Sequence, residues 1–147
     1  MKLPRNLDAD ENTMNHRAEG PFEVKMNPLP ADGDANGAGI GRMALDKRYR
    51  GDLEATGVGQ MLALHGDEKG SAGYVAIERI SGTLQGRSGS FAAQHFGLMD
   101  RGEKALRIDI IPDSGRGELV GIRGRMDIRF EAGGAHFYSI DYTLPDT

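Results

Sequence analysis

The 147-residue chain contains no cysteine and no tryptophan, and only 6 of its residues are proline. The absence of cysteine excludes disulfides, iron–sulfur clusters, thiolate zinc sites and thiol nucleophiles. No apolar run approaches the roughly 20 residues of a membrane-spanning helix, and the polar start of the chain lacks the apolar core of a signal peptide. We therefore expect one soluble, cytoplasmic domain that has no membrane partner.

An excess of charge of one sign is also missing. The chain has 18 basic and 22 acidic residues, which gives a net charge of −4. Even in its most arginine-rich part, residues 99–131, the two signs alternate closely, so their fields cancel within about a Debye length. A nucleic-acid binder normally carries a basic stripe. The charge pattern therefore predicts no nucleic-acid partner.

What the sequence does contain is glycine, 22 residues in all, together with short runs of alternating apolar and polar residues. In one such run, Phe22, Val24 and Met26 alternate with polar neighbours, which is the period of a half-buried strand. Eight such runs, separated by breaks that contain Gly, Asp or Pro, indicate an all-β meander. We expect a closed eight-stranded, mostly antiparallel barrel over residues 19–145, with a two-sheet sandwich as the alternative and a flexible arm at residues 1–18.

Several segments, in order from about residue 19 to residue 145, resemble the DUF3224 family of bacterial proteins of unknown function. They include Gly41–Lys47, Gly51–Thr56, Gly70–Arg79, Gly86–Phe91, Pro112–Gly115 and His136–Tyr138. The resemblance implies a closed eight-stranded barrel similar to that of plant allene oxide cyclase. It implies no established activity and no catalytic residues, and a shared barrel does not by itself transfer a cyclase reaction.

No segment of the chain has the pattern of a metal or cofactor site. The loop from Asp32 to Gly37 imitates the start of a calcium loop, but the position of the required bidentate glutamate is occupied by Met43. The four histidines, at 16, 65, 95 and 136, are widely spaced, and neither a dinucleotide fingerprint nor a phosphate loop is present. We therefore predict neither a metal nor a cofactor.

Polar residues interrupt several otherwise apolar strands, and side chains of a barrel strand alternate between lumen and surface. A carboxylate beside a histidine in an apolar lumen would have a shifted pKa and could exchange protons with a ligand. Along residues 74–80, however, both faces carry apolar residues, so the direction of residue 78 stays open. The candidate catalytic residues are Glu78 and His95, and the candidate ligand-binding residues are Lys47, Glu54, Tyr74 and Gln94.

Three functions are compatible with these patterns. The first is binding of one small apolar or amphipathic molecule in the lumen, since eight strands enclose room for side chains or for one small ligand. The second is an isomerase or cyclase that uses Glu78 and His95 as acid and base, which requires the two groups to converge. The third is a structural module in which outward apolar residues such as Ile77 and Phe96 bury against another copy in a homo-oligomer.

Overall fold

The computed structural model describes residues 14–30, 33–35 and 37–145. The strands are β1 (Met14–Leu29), β2 (Gly41–Tyr49), β3 (Leu53–His65), β4 (Ala72–Leu84), β5 (Arg87–Asp100), β6 (Glu103–Ile110), β7 (Arg116–Gly117), β8 (Arg123–Phe130) and β9 (His136–Leu144). Within these ranges the single helical element is a 3-10 turn at Gly33–Ala35, and no helix long enough to cross a membrane is present.

The strands form one closed antiparallel barrel. Neighbouring strands follow the order β4-β3-β2-β1-β9-β8-β6-β5, and the pairing of β4 with β5 closes the ring of eight, while the two-residue β7 adds to β5. Closure removes the exposed sheet edges that a chain of this size would otherwise present. The predicted all-β eight-stranded barrel is therefore confirmed, and the sandwich is excluded.

The barrel begins earlier in the chain than the sequence pattern predicts. The first five residues of β1, from Met14 to Ala18, lie in the predicted arm, yet they pair with Leu144 to Ile140 of β9. This pairing covers β9, which would otherwise be an open edge, and it buries Ala18 completely. Residues 1–13 of the predicted arm lie outside the described residues, as do residue 31 and, in the loop from Asp32 to Gly37, residues 32 and 36.

The two ends of the barrel differ in how they are filled. At one end, which we call the packed end, the connection from β6 to β8 folds inward and buries Leu119 and Ile122 in the core. Ser114 anchors this connection, because its Oγ donates to the carbonyl of Ile111 at 2.7 Å and accepts from the backbone N–H of Ala92 at 2.9 Å. The opposite end, with the turns at 66–71, 101–102 and 131–135, is the open end.

Candidate functional site

A buried polar layer separates the packed core from the open end of the lumen. Along the inward face of β4, Tyr74 lies near the open end, Glu78 is buried halfway along, and Ile80 belongs to the core. The inward face of β5 has the same order: Gly97 lies toward the open end, His95 follows it, and Ala93 and Phe91 belong to the core. In the register of these two strands Glu78 pairs with Ala93 and Ala76 pairs with His95, so the acid and the imidazole are diagonal neighbours on the inward face.

The Glu78 carboxylate is the centre of this layer. Its Oε1 accepts hydrogen bonds from the hydroxyl of Tyr49 at 2.8 Å, from Nε2 of His95 at 2.9 Å and from Nζ of Lys47 at 3.1 Å. The side chain of Glu78 has no exposed surface, and those of Lys47 and His95 are 5% and 3% exposed. Because a carboxylate oxygen only accepts, Nε2 of His95 must carry the hydrogen of this contact.

The second carboxylate oxygen of Glu78 lies in space that a glycine provides. Among the described residues nothing donates a hydrogen bond to Oε2. A Cβ atom at Gly57 would stand 2.6 Å from this oxygen and 3.1 Å from Cε2 of Tyr49, so any side chain there would collide with the layer. Gly57 faces Lys47 across β2 and β3, which makes it part of the same site.

The partners of Glu78 keep it ionised although it is buried. Burial alone would raise the pKa of Glu78, but the hydrogen bond from His95 and the positive charge of Lys47 outweigh burial and lower it. The pKa of Tyr49 is raised well above 10.0, first by burial and then by the negative charge of Glu78. At neutral pH the layer therefore holds a carboxylate and a phenol that remains a donor.

The open end of the lumen is a cup of about 330 Å³ with a mostly apolar wall. The ring of Tyr74 lies directly against Gly97, where a side chain would collide with it, and forms part of the wall on the side of the polar layer. Lys104 extends over the ring of Phe130, with Nζ 5.8 Å from the ring centroid. Other wall residues are Met61, Ala63, Ala72, Leu106 and Ile128.

The structure brings together some of the residues selected from the sequence and separates others. Glu78, His95 and Lys47 meet in the polar layer, and Tyr74 faces the lumen on the same side of β4 as Glu78. Burial and, secondarily, the charge of Glu78 raise the pKa of the Tyr74 phenol. These four residues share the inward parity of their strands.

Glu54 and Gln94 lie on the outer surface because they have the opposite parity. Glu54 accepts a hydrogen bond from the backbone N–H of Gly51 at 3.0 Å and contacts Arg48 at 3.4 Å, so it fastens the turn between β2 and β3. Gln94 is exposed and lies between Ile77 of β4 and Asp109 of β6. Neither side chain reaches the lumen.

Two members of the layer were not selected from the sequence, namely Tyr49 and Gly57. Tyr49 is two residues beyond Lys47 on β2 and therefore shares its face, a signal that the alternation contains. The role of Gly57 depends on the register between β2 and β3, which a single sequence does not state. Among the described residues, no group of three His, Cys, Asp or Glu side chains is placed to hold a metal ion.

Comparison with known proteins agrees with this architecture. The family model for "Protein of unknown function (DUF3224)" matches residues 18–142. A crystal structure of a DUF3224 protein of unknown function from Shewanella oneidensis MR-1 is 45% identical, with a TM-score of 0.83, and the match covers 91% of this chain and 100% of that one. No curated protein matches the chain. The chain therefore belongs to the DUF3224 family.

Proposed function

We propose that the protein binds one small apolar or amphipathic molecule in the cup at the open end of the barrel. The observation that carries this proposal is the contrast between the two ends, since core residues fill the packed end while about 330 Å³ stays free at the other. Pockets for small ligands commonly occupy about 300–1,000 Å³ and combine an apolar wall with a few polar groups. The cup is at the lower end of that range, which favours a compact ligand.

The polar groups of the cup lie mainly at its rim, which suits an amphipathic ligand. Lys104 is exposed beside the Phe130 ring, and His65 lies on the same rim. The wall deeper in the cup is formed by Met61, Leu106 and Ile128. An apolar body would therefore lie in the cup while an anionic head remained near the Lys104 ammonium, where both groups stay partly hydrated.

A pair of fluorescent probes with the same skeleton tests both parts of this proposal. N-phenylnaphthylamine is uncharged, and anilinonaphthalene sulfonate adds one anionic group to the same ring system. We expect both to bind with micromolar dissociation constants, and we expect Lys104→Gln to weaken only the sulfonate, by about 3- to 10-fold. If Lys104→Gln weakened the binding of both probes equally, or of neither probe, Lys104 would not be the partner of the head group.

Adjacent positions on β3 distinguish the cup from the outer surface. Ala63 faces the cup and Leu62 faces outward, so Ala63→Trp fills the proposed site while Leu62→Trp adds the same ring to the opposite face. We expect Ala63→Trp to weaken the neutral probe at least about 10-fold and Leu62→Trp to leave it within about twofold. The reverse result would place the probe on the outer surface and would refute luminal binding.

Acid–base catalysis is a second candidate, favoured by the 2.9 Å contact between Glu78 and His95. This distance is within the reach that a coupled acid and base require. All groups of the layer are nearly inaccessible, however, and a ligand in the cup would meet Tyr74 first. A structure with the neutral probe bound decides between the two, because catalysis requires ligand atoms within about 3.2 Å of Glu78 or His95, whereas binding alone keeps them above Tyr74.

A further inference from the structure

The outer face of β3, β4 and β5 is apolar where a solvent-facing sheet is normally polar. Seven large apolar side chains on these three strands are between 44% and 67% exposed. We call this set the apolar face, and it consists of Val58, Leu62, Leu64, Val75, Ile77, Phe96 and Leu98. Two shallow depressions of about 870 and 410 Å³ lie along it, so the face is concave enough to receive protruding side chains.

The strand register joins these residues into one continuous surface. Leu62 pairs with Val75, and Val75 pairs with Phe96, so one apolar row crosses all three strands. In the next row Ile77 lies between the amides of Gln60 and Gln94. Scattered exposed apolar residues are normal in proteins, but a contiguous patch marks an interaction site.

The area of the apolar face is sufficient for a dimer of moderate affinity. Its seven side chains together expose on the order of 600 Å². A stable interface of standard size buries about 800 Å² on each partner, to which a polar rim contributes. Together with a polar rim, the apolar face therefore approaches the area that one partner buries in a weak or standard-size interface.

The distribution of polar groups suits a second copy of the same chain. Arg79, which pairs with Val58, donates to the carbonyl of Ser114 within the chain at 2.8 Å, and the amides of Gln60 and Gln94 carry both donors and acceptors, so each can pair with its own copy. On one border of the face, β2 carries Arg42 and Asp46, which pair with Leu62 and Val58 respectively. The opposite border, β6, also carries one arginine and one aspartate, Arg107 and Asp109.

This arrangement fits a two-fold axis that lies across the strands. Such an axis reverses the strand direction of the second copy, so the Arg42 end of β2 comes to lie over the Asp46 end of the partner strand. Along β6 the two signs compensate each other within one copy, because Nε of Arg107 lies 2.7 Å from Oδ2 of Asp109. We propose that the apolar face binds a second copy of this chain, face to face about such an axis, and forms an isologous dimer.

Molar mass measured across a concentration series tests this proposal. For the full chain of 15.9 kDa, sedimentation or light scattering from about 1 to about 100 µM should show the mass doubling, with a micromolar dissociation constant. Ile77→Glu introduces a carboxylate at the centre of the face, and two-fold symmetry places that carboxylate there twice. We expect it to weaken dimerisation at least about 100-fold, which leaves a monomer throughout the series.

Val120→Glu is the matched control, since Val120 is 63% exposed but lies outside the apolar face, between β7 and β8. It should dimerise like the unmodified chain. Phe96→Glu, on the neighbouring strand, repeats the test if circular dichroism shows that Ile77→Glu does not fold.

Three outcomes would overturn the proposal. An unmodified chain that is monomeric at about 100 µM would leave the face to a different partner. A folded Ile77→Glu or Phe96→Glu variant that dimerises unchanged would place the interface elsewhere. An assembly of more than two chains would exclude the two-fold arrangement.

Discussion

Two neighbouring residues of β4 occupy environments opposite to those that their chemistry favours. The carboxylate of Glu78 is fully buried inside the barrel, whereas the side chain of Ile77 is 55% exposed outside it. Strand alternation explains why both occur together, because turning β4 over would also move Ile80 and Leu84 from the core to the surface. All the residues of a strand together thus decide which of its faces points into the barrel. A single residue takes the environment that this choice gives it.

The inside and the outside of the barrel differ in what contacts the residue whose chemistry does not suit its environment. Inside, Glu78 has three donors on one oxygen and an opposite charge at 3.1 Å, so the chain itself compensates the burial of its charge. Outside, no described part of the chain covers Ile77. A buried charge is tolerated because it is paired within one molecule, whereas an exposed apolar face is the kind of surface that marks an interaction site.

The largest effect is expected from breaking the inner arrangement. Glu78→Gln removes the negative charge and leaves the ammonium of Lys47 buried without its counter-ion, which typically costs about 3–5 kcal/mol. Glu54→Gln is the control, since it removes a carboxylate from the outer surface of the neighbouring strand, where an ion pair contributes less than about 1 kcal/mol. Urea unfolding of both variants gives the two free energies of unfolding.

A loss below about 1 kcal/mol in Glu78→Gln would contradict this prediction, because Lys47 would then be tolerated without a counter-ion. The inner arrangement would in that case be no more demanding than a surface pair.

A smaller effect is expected from removing the space in which Glu78 fits. In Gly57→Ala the new methyl group would lie 2.6 Å from Oε2 of Glu78 and 3.1 Å from Cε2 of Tyr49, so the layer must shift. Overpacking of this kind costs about 1–3 kcal/mol. Gly41→Ala, also on a barrel strand, has its nearest neighbour at 3.8 Å and should change the free energy of unfolding by less than about 0.5 kcal/mol. Equal effects in both variants, measured by thermal or urea unfolding, would mean that backbone freedom rather than collision determines the cost.

The sequence could predict the fold because its signal is repeated. Alternation in many short runs and glycine at the breaks favour a closed sheet, and the structure confirms it. The start of β1 is weaker in the sequence, because His16 contacts the barrel through ring stacking on Tyr142, at 4.9 Å between centroids, rather than through an aliphatic side chain. A pattern of apolar residues does not record such a contact.

The candidate site was only partly predictable for a different reason. Glu78, His95 and Lys47 are unusual residues within apolar strands, so composition alone singles them out. Glu54 and Gln94 are unusual in the same way, but they occupy the alternate positions of their strands, so their side chains point to the outer surface. Parity at β4 was undecided because Val75 and Ile77 are as apolar as the inward residues, and an exposed apolar face cannot be distinguished from a core by hydrophobicity alone.

The pH dependence of stability gives the smallest but most specific test of the inner arrangement. The pKa of Glu78 is lowered from its ordinary value of 4.5, because the hydrogen bond from His95 and the charge of Lys47 outweigh burial. Below this value the unfolded chain binds a proton that the folded chain does not, so acid favours unfolding. The stability contributed by Glu78 is therefore complete above about pH 5 and is lost as the pH falls through the lowered pKa, with a slope of at most about 1.4 kcal/mol per pH unit.

Subtracting the profile of Glu78→Gln from that of the unmodified chain, between about pH 3 and pH 7, isolates this contribution from the other carboxylates. The difference should be constant at neutral pH and should shrink on acidification. If burial dominated instead, the pKa of Glu78 would be raised, the folded chain would bind the proton first, and the difference would grow on acidification. The sign of the slope thus decides whether the partners of Glu78 or its burial controls the charge inside the barrel.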